Sequence, residues 1–146
     1  MNSAFPLSQS ETFPLARTER IAIHRVLDLF EKGSPELFAE LSDQIDFRID
    51  HYRDETDVSW QVASSPADMA IVLQRLAREV FPKGTHVHGL ASQALGQGWF
   101  FTRFEQRFFY PVKDCECESV TYIVSHESDG KLDFFRETVT TIVEKS

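Results

Sequence analysis

The segment Ile45-Asp46-Phe47-Arg48-Ile49 alternates apolar and polar residues as a half-buried strand does, and runs into a cluster of Asp50, His51, Tyr52, Arg53 and Asp54. A carboxyl group at the mouth of an apolar pocket has its pKa raised by desolvation, toward the range where it exchanges protons usefully, which makes Asp50 a candidate general base. The competing assignment is a solvated strand-end carboxylate bonded to Arg53. His86 and His88 stand two apart on a predicted strand, so their rings share a face and could donate protons or form half of a metal site, against a plain surface role. Tyr122 shares its parity with Val120 and Val124 and is expected to point inward, where its phenol needs a partner such as a ligand oxygen. On the last strand Phe135, Glu137 and Val139 share one face; Leu132, Phe134, Arg136, Thr138 and Thr140 share the other. Parity does not settle which face is inside. An inward Glu137 has to be paired, protonated or functional, because an unpaired buried carboxylate is too costly.

Elements that could position these groups are legible. Residues 1–12 read as a flexible N-terminal tail and 13–146 as one domain. The spacing of Ala22, Val26, Leu29 and Phe30 predicts a helix over 13–32, with Gly33 as its stop. Ser34 and Pro35 open a second short helix carrying Leu37, Phe38 and Leu41. Ser65 and Pro66 open the third, with Met69, Val72, Leu73, Leu76 and Val80 as its stripe and Pro82 as its end. Strands are predicted near 85–95, 99–111, 118–126 and 131–143, the last two joined by an Asp129-Gly130 hairpin turn. Helices followed by a run of antiparallel strands give an α+β fold, a curved sheet with helices on one side. In the strand from Trp99 to Tyr110, Phe100, Thr102, Phe104, Gln106, Phe108 and Tyr110 are expected inside. The opposite face holds Arg103, Glu105 and Arg107 with Trp99, Phe101 and Phe109. Aromatics beside Arg on an outer sheet face suit a protein–protein patch, and a homodimer through Trp99, Phe101, Arg103 and Phe109 is expected.

Composition excludes some classes of function. The net charge is −8 and no Lys/Arg cluster appears, so nucleic acid finds no basic footprint. No apolar run approaches the roughly 20 residues of a membrane span, and the N-terminus lacks the features of a signal peptide, so cytoplasm is the default location. Cys115 and Cys117 read as free thiols in a hairpin loop, since two thiols alone do not make a zinc site. Gly96 and Gly98 lie between strands with no helix after them to bind phosphate. No metal or cofactor is expected. A cupin would add a Glu shortly after its His-x-His pair, and none follows His88. The 13 Phe residues imply a thick aromatic core or an apolar cavity.

The order of these elements resembles the nuclear-transport-factor-2-like (NTF2-like) superfamily, which includes SnoaL-like polyketide cyclases and ketosteroid isomerases. Three pieces carry the likeness: LFEKGSPELFAELSDQIDFRID, SSPADMAIVLQRLAREVFP and SDGKLDFFRETVT. The resemblance implies a cone-shaped curved antiparallel sheet with three N-terminal and central helices closing a cavity, so that residues 13–146 form a single SnoaL-like cone domain. By the same resemblance Asp50 matches the isomerases' catalytic base and Tyr122 their second oxyanion donor, while Val26 stands where their helix-one Tyr would be. It also turns Phe135, Glu137 and Val139 inward. The expected pocket is lined by Trp60, Phe100, Phe104, Phe108, Phe135 and Glu137 and takes a small apolar or aromatic molecule. Two readings follow. One is a cofactor-free isomerase, dehydratase or cyclase using Asp50, with Tyr122 and His86 or His88 as donors. The other is a non-catalytic dimeric binding or accessory module. An epoxide hydrolase of this fold would want an Asp-Arg-Asp set inside the cavity, and Arg103 and Arg107 are expected outside.

Overall fold

A computed structural model describes residues 13–50 and 61–145. The elements run β1 (Leu15–Ala16), α1 (Ala22–Lys32), a 3-10 helix (Pro35–Glu40), β2 (Leu41–Ile49), β3 (Val62–Ala63) and α2 (Pro66–Arg75). A π-helical turn (Leu76–Val80) continues α2, and β4 (Thr85–Gly96), β5 (Trp99–Tyr110), β6 (Cys115–Ser128) and β7 (Lys131–Lys145) complete the chain. One seven-stranded sheet has the order β1-β4-β5-β6-β7-β2-β3, with the helices packed on one face. The α+β class and the three helical pieces are as expected. The sheet is mixed rather than wholly antiparallel, because β2 lies parallel to β7, pairing Phe47 with Phe135 and Ile49 with Glu137.

Two-residue loops set the β4–β5 and β6–β7 hairpins. Gln97-Gly98 and Asp129-Gly130 both have positive φ at both positions, the geometry of the tight turns that match strand twist. A side chain at residue 98 would also collide with the Glu127 carbonyl, so this glycine is required twice over. Cys115 and Cys117 lie within β6 rather than in a loop. They share the inner face, opposite Tyr110 and Phe108, with their sulfurs 4.0 Å apart and both free. Burial pushes the Cys117 thiol up to about 11.

The first helix is shorter than its predicted span of 13–32. Its apolar stripe begins only at Ala22, and Leu15–Ala16 instead pairs with Ser92 and Ala91 of β4 as an edge strand. Ile21, at the N-cap, has no side chain to offer the open amides. Glu127 supplies the acceptor from the far end of the chain, taking a 3.0 Å bond from the Ala22 amide. A carboxylate at this position also meets the positive end of the helix dipole. At the other end Gly33, in the left-handed region with φ 65°, closes α1 as its position predicted. Ser65 caps α2 by accepting from the Asp68 amide.

Removing the cap has a measurable cost. Glu127→Ala is expected to lower unfolding free energy by about 1 kcal/mol, and Glu127→Gln, which keeps an acceptor, by less. Urea denaturation of the three proteins checks this.

Candidate functional site

Strand parity decides what faces the helices. On β5, Thr102, Phe104, Gln106, Phe108 and Tyr110 are buried as expected. On β7, Leu132 and Phe135 are both buried although they differ in parity, because the register shifts where Glu127 pairs with Leu132 and His126 with Phe134. That bulge turns Phe135, Glu137 and Val139 inward. The same rule overturns the inward expectation for Tyr122. The buried residues around it are Thr121 and Ile123, so Tyr122 stands on the outer face. There its hydroxyl accepts from the Arg103 guanidinium at 2.7 Å and its ring stacks on Phe101.

A cavity lies between the helices and this inner face. From the helical side come Val26, Leu27 and Phe30 of α1, Leu37 of the 3-10 helix, and Met69 and Leu73 of α2. Leu76 opens the π-helical turn and Phe81 follows it. From the sheet come Phe47 and Ile49 of β2, Phe104 and Gln106 of β5, and Phe135 and Glu137 of β7. The void open to the centre of a water molecule is about 40 Å3, room for about three waters. Aromatic rings fill much of the rest: Phe47 stacks on Phe135 at 4.6 Å, and Phe81 meets both Phe30 and Phe108 edge-on.

Of the expected pocket residues, Phe104, Phe135 and Glu137 meet in this wall. Phe108 is buried in the core behind it, and Phe100 is only half-buried and lies away from it. Trp60 lies outside the described residues, as do His51, Tyr52, Arg53 and Asp54. Asp50 is exposed at the end of β2 and does not line the cavity; its backbone N–H donates to the Glu137 carbonyl at 2.8 Å. His86 and His88 share a face as expected, their rings 5.0 Å apart, but it is the outer, exposed face. His88 is the extra residue of a bulge between Val87 and Gly89, near the Glu118 carboxylate at 3.7 Å. The four groups named for proton chemistry are therefore not gathered at one site.

Among the described residues Glu137 is the ionisable group in the cavity wall. It is 6% exposed, and among the described residues no cation pairs with it. Burial pushes its carboxyl up to about 8, so it is largely protonated at neutral pH and able to donate a hydrogen bond. Gln106, 2% exposed, adds the wall's other polar side chain and is bonded to the Thr85 hydroxyl at 2.8 Å. On β6, two residues to either side of Ile123, which pairs with Glu137, the hydroxyls of Thr121 and Ser125 are buried with no hydrogen-bond partner among the described residues. Among the described residues no group of three His, Cys, Asp or Glu side chains could hold a metal, and no helix is long and apolar enough to cross a membrane.

Sequence reasoning passed over His24, which is fully buried. Its Nδ1 lies 2.7 Å from the Glu19 carbonyl, which can only accept, so Nδ1 carries the proton. Burial lowers the pKa of the ring, favouring the neutral form. Nε2 must then accept from the Ser92 hydroxyl at 2.7 Å, and Ser92 in turn accepts from Thr102 at 2.6 Å. The proton direction along this chain is thereby fixed. A single His on an otherwise apolar helix face gave no signal of it.

Neither a family model nor a curated protein sequence matches this chain. Solved structures do match its fold. An NTF2-like protein from Anabaena variabilis superposes with a TM-score of 0.69 at 9% identity, covering 86% of this chain and 91% of the other. A candidate polyketide cyclase from Xanthomonas campestris gives 0.64 at 12% identity, covering 82% and 87%. A structure described as an LEH-like epoxide hydrolase of M. tuberculosis gives 0.54 at 14% identity, covering 82% and 80%. At these identities the likeness is one of fold.

Glu137 makes stability depend on pH. Its carboxyl titrates near 4.5 when solvated and near 8 in the fold, so its contribution is complete below pH 4.5 and lost as pH rises toward 8. Glu137→Gln, which carries no such charge, is expected to gain on the wild type across that window, by about 3 kcal/mol at pH 7 relative to pH 4.5. Paired urea titrations at the two pH values measure the gain.

Proposed function

With the NTF2-like fold that this chain has, we propose that it is a small-molecule-binding domain whose cavity holds an apolar molecule and presents Glu137 to it as an uncharged acid. The carrying observation is that one buried carboxyl group, with no cation beside it among the described residues, stands in a wall otherwise apolar but for Gln106. A ligand carbonyl beside it would accept its proton as a hydrogen bond. A carboxyl that titrates close to neutrality can also give and recover a proton, which suits cofactor-free isomerisation, dehydration or aldol-type cyclisation. Asp50, exposed outside the cavity, is poorly placed for the role of base, and Glu137 takes it over in this reading. An epoxide-hydrolase chemistry built on an inward Arg has no support, since among the described residues no Arg lines the cavity.

A small ketone is expected to raise the melting temperature of the wild type. Glu137→Leu, which removes donor and acceptor while keeping an apolar wall, should abolish the rise. No rise with any small ketone would overturn the reading.

A second reading has its own observation. Trp99, Phe101 and Phe109 are all partly exposed on the outer face of β5, and Phe101 clusters with Phe13 and Tyr122 beside Arg103. This surface suits pairing with a second copy, the cavity then serving mainly as packed core. Light scattering is expected to give a dimeric mass at micromolar concentration and a monomeric one for Phe101→Asp. A monomeric wild type would remove the pairing.

A further inference from the structure

The inner cavity has the chemistry for a ligand but not the size, since sites for drug-sized molecules occupy roughly 300–1,000 Å3. Directly outside it, between the C-terminal half of α1, the 3-10 helix and α2, lies a groove of about 350 Å3. Phe30, Leu37 and Leu73 line both spaces and form the partition between them. We propose that groove and cavity are two halves of one elongated site for a linear apolar molecule ending in an uncharged carbonyl, with Phe30, Leu37 and Leu73 as its gate. The proposal rests on Glu137 acting as a hydrogen-bond donor inside.

Three features support a partition that opens. Its residues come from three separate elements, so no single rigid body holds it shut. Leu37 sits on a six-residue 3-10 helix, a conformation with weaker hydrogen-bond geometry than the α-helix, joined to α1 through the left-handed Gly33. Below Leu73 the helix ends in a π-helical turn closed by the Phe81 amide on the Leu76 carbonyl, a rare geometry that is frequent at functional sites. The groove beyond is walled mainly by Leu29, Phe38, Ala70 and Ala77, with Ser34 and Gln74 as its polar residues. An apolar tail fits that lining. The uncharged end belongs at Glu137, because a second carboxylate there would share a dry space with a group that already resists ionisation.

Calorimetric titration of the full chain with 2-butanone and 2-undecanone separates the possibilities. Burying a methylene is worth about fourfold in affinity, so the longer ketone, even half-accommodated, is expected to bind about a hundredfold tighter. Ala70→Trp and Ala77→Trp place bulk in the groove from half-buried and exposed helix positions, and each should reduce that ratio to below about threefold. If 2-butanone binds but the longer ketone gains nothing, or if the ratio survives both Trp variants, the groove is not part of the site and the proposal is overturned. If neither ketone binds, the reading of Glu137 as a donor falls and this proposal falls with it.

Discussion

Strands β4 to β7 turn Leu90, Phe104, Ile123 and Val139 toward the helices, and that long face has to be kept dry by three short helical pieces. The requirement fixes register in every strand, because a slip of one residue would exchange the two faces. It accounts for the bulge at Asp133, without which Arg136 rather than Glu137 would lie inside. It also accounts for the parallel pairing of β2 with β7, which lays Phe47 and Ile49 beside Phe135 and Glu137 under the same cover. Packing on this face is dominated by aromatic rings meeting edge-on or stacked, each adding a little beyond its buried area.

Against that background Glu137 is an exception that the fold maintains at a cost. A residue of similar volume without the carboxyl would fill the position more stably. Its presence is what supports the proposed chemical role of the cavity over imperfect packing. The outer face shows the opposite economy: Arg103 with Glu105, Arg107 with Glu116 and Arg136 with Asp46 are paired, partly exposed and of modest worth individually.

Much of the architecture was legible in the sequence, and the reasons are local. The Ser65-Pro66 opening, the Gly33 stop, the Asp129-Gly130 turn and the alternation in β5 each rest on chemistry within a few residues. What misled were features set by distant partners. Residues 13–21 read as helix because nothing in them announces pairing with β4. Tyr122 read as inward because Val120 and Val124 flank it, yet all three stand opposite the face that buries Thr121 and Ile123. Asp50 and the two histidines were chosen for their chemical type, and type alone says nothing about which side of a sheet a residue occupies. Glu137 could be named but not oriented by parity, since a bulge decides it.

The bond between the Ala22 amide and Glu127 spans 105 residues, and so does that between the Arg25 guanidinium and the Gly130 carbonyl. On a growing chain these partners are made 105 residues after the first helix positions that they hold. The N-terminal half therefore leaves the ribosome with an unfinished helix and with β2 lacking the neighbour that it needs in β7. Topologies closed by such remote contacts fold slowly and late. For this protein the final hairpin is the clasp, and a nascent polypeptide stalled before it would expose a greasy, half-built surface to any chaperone within reach.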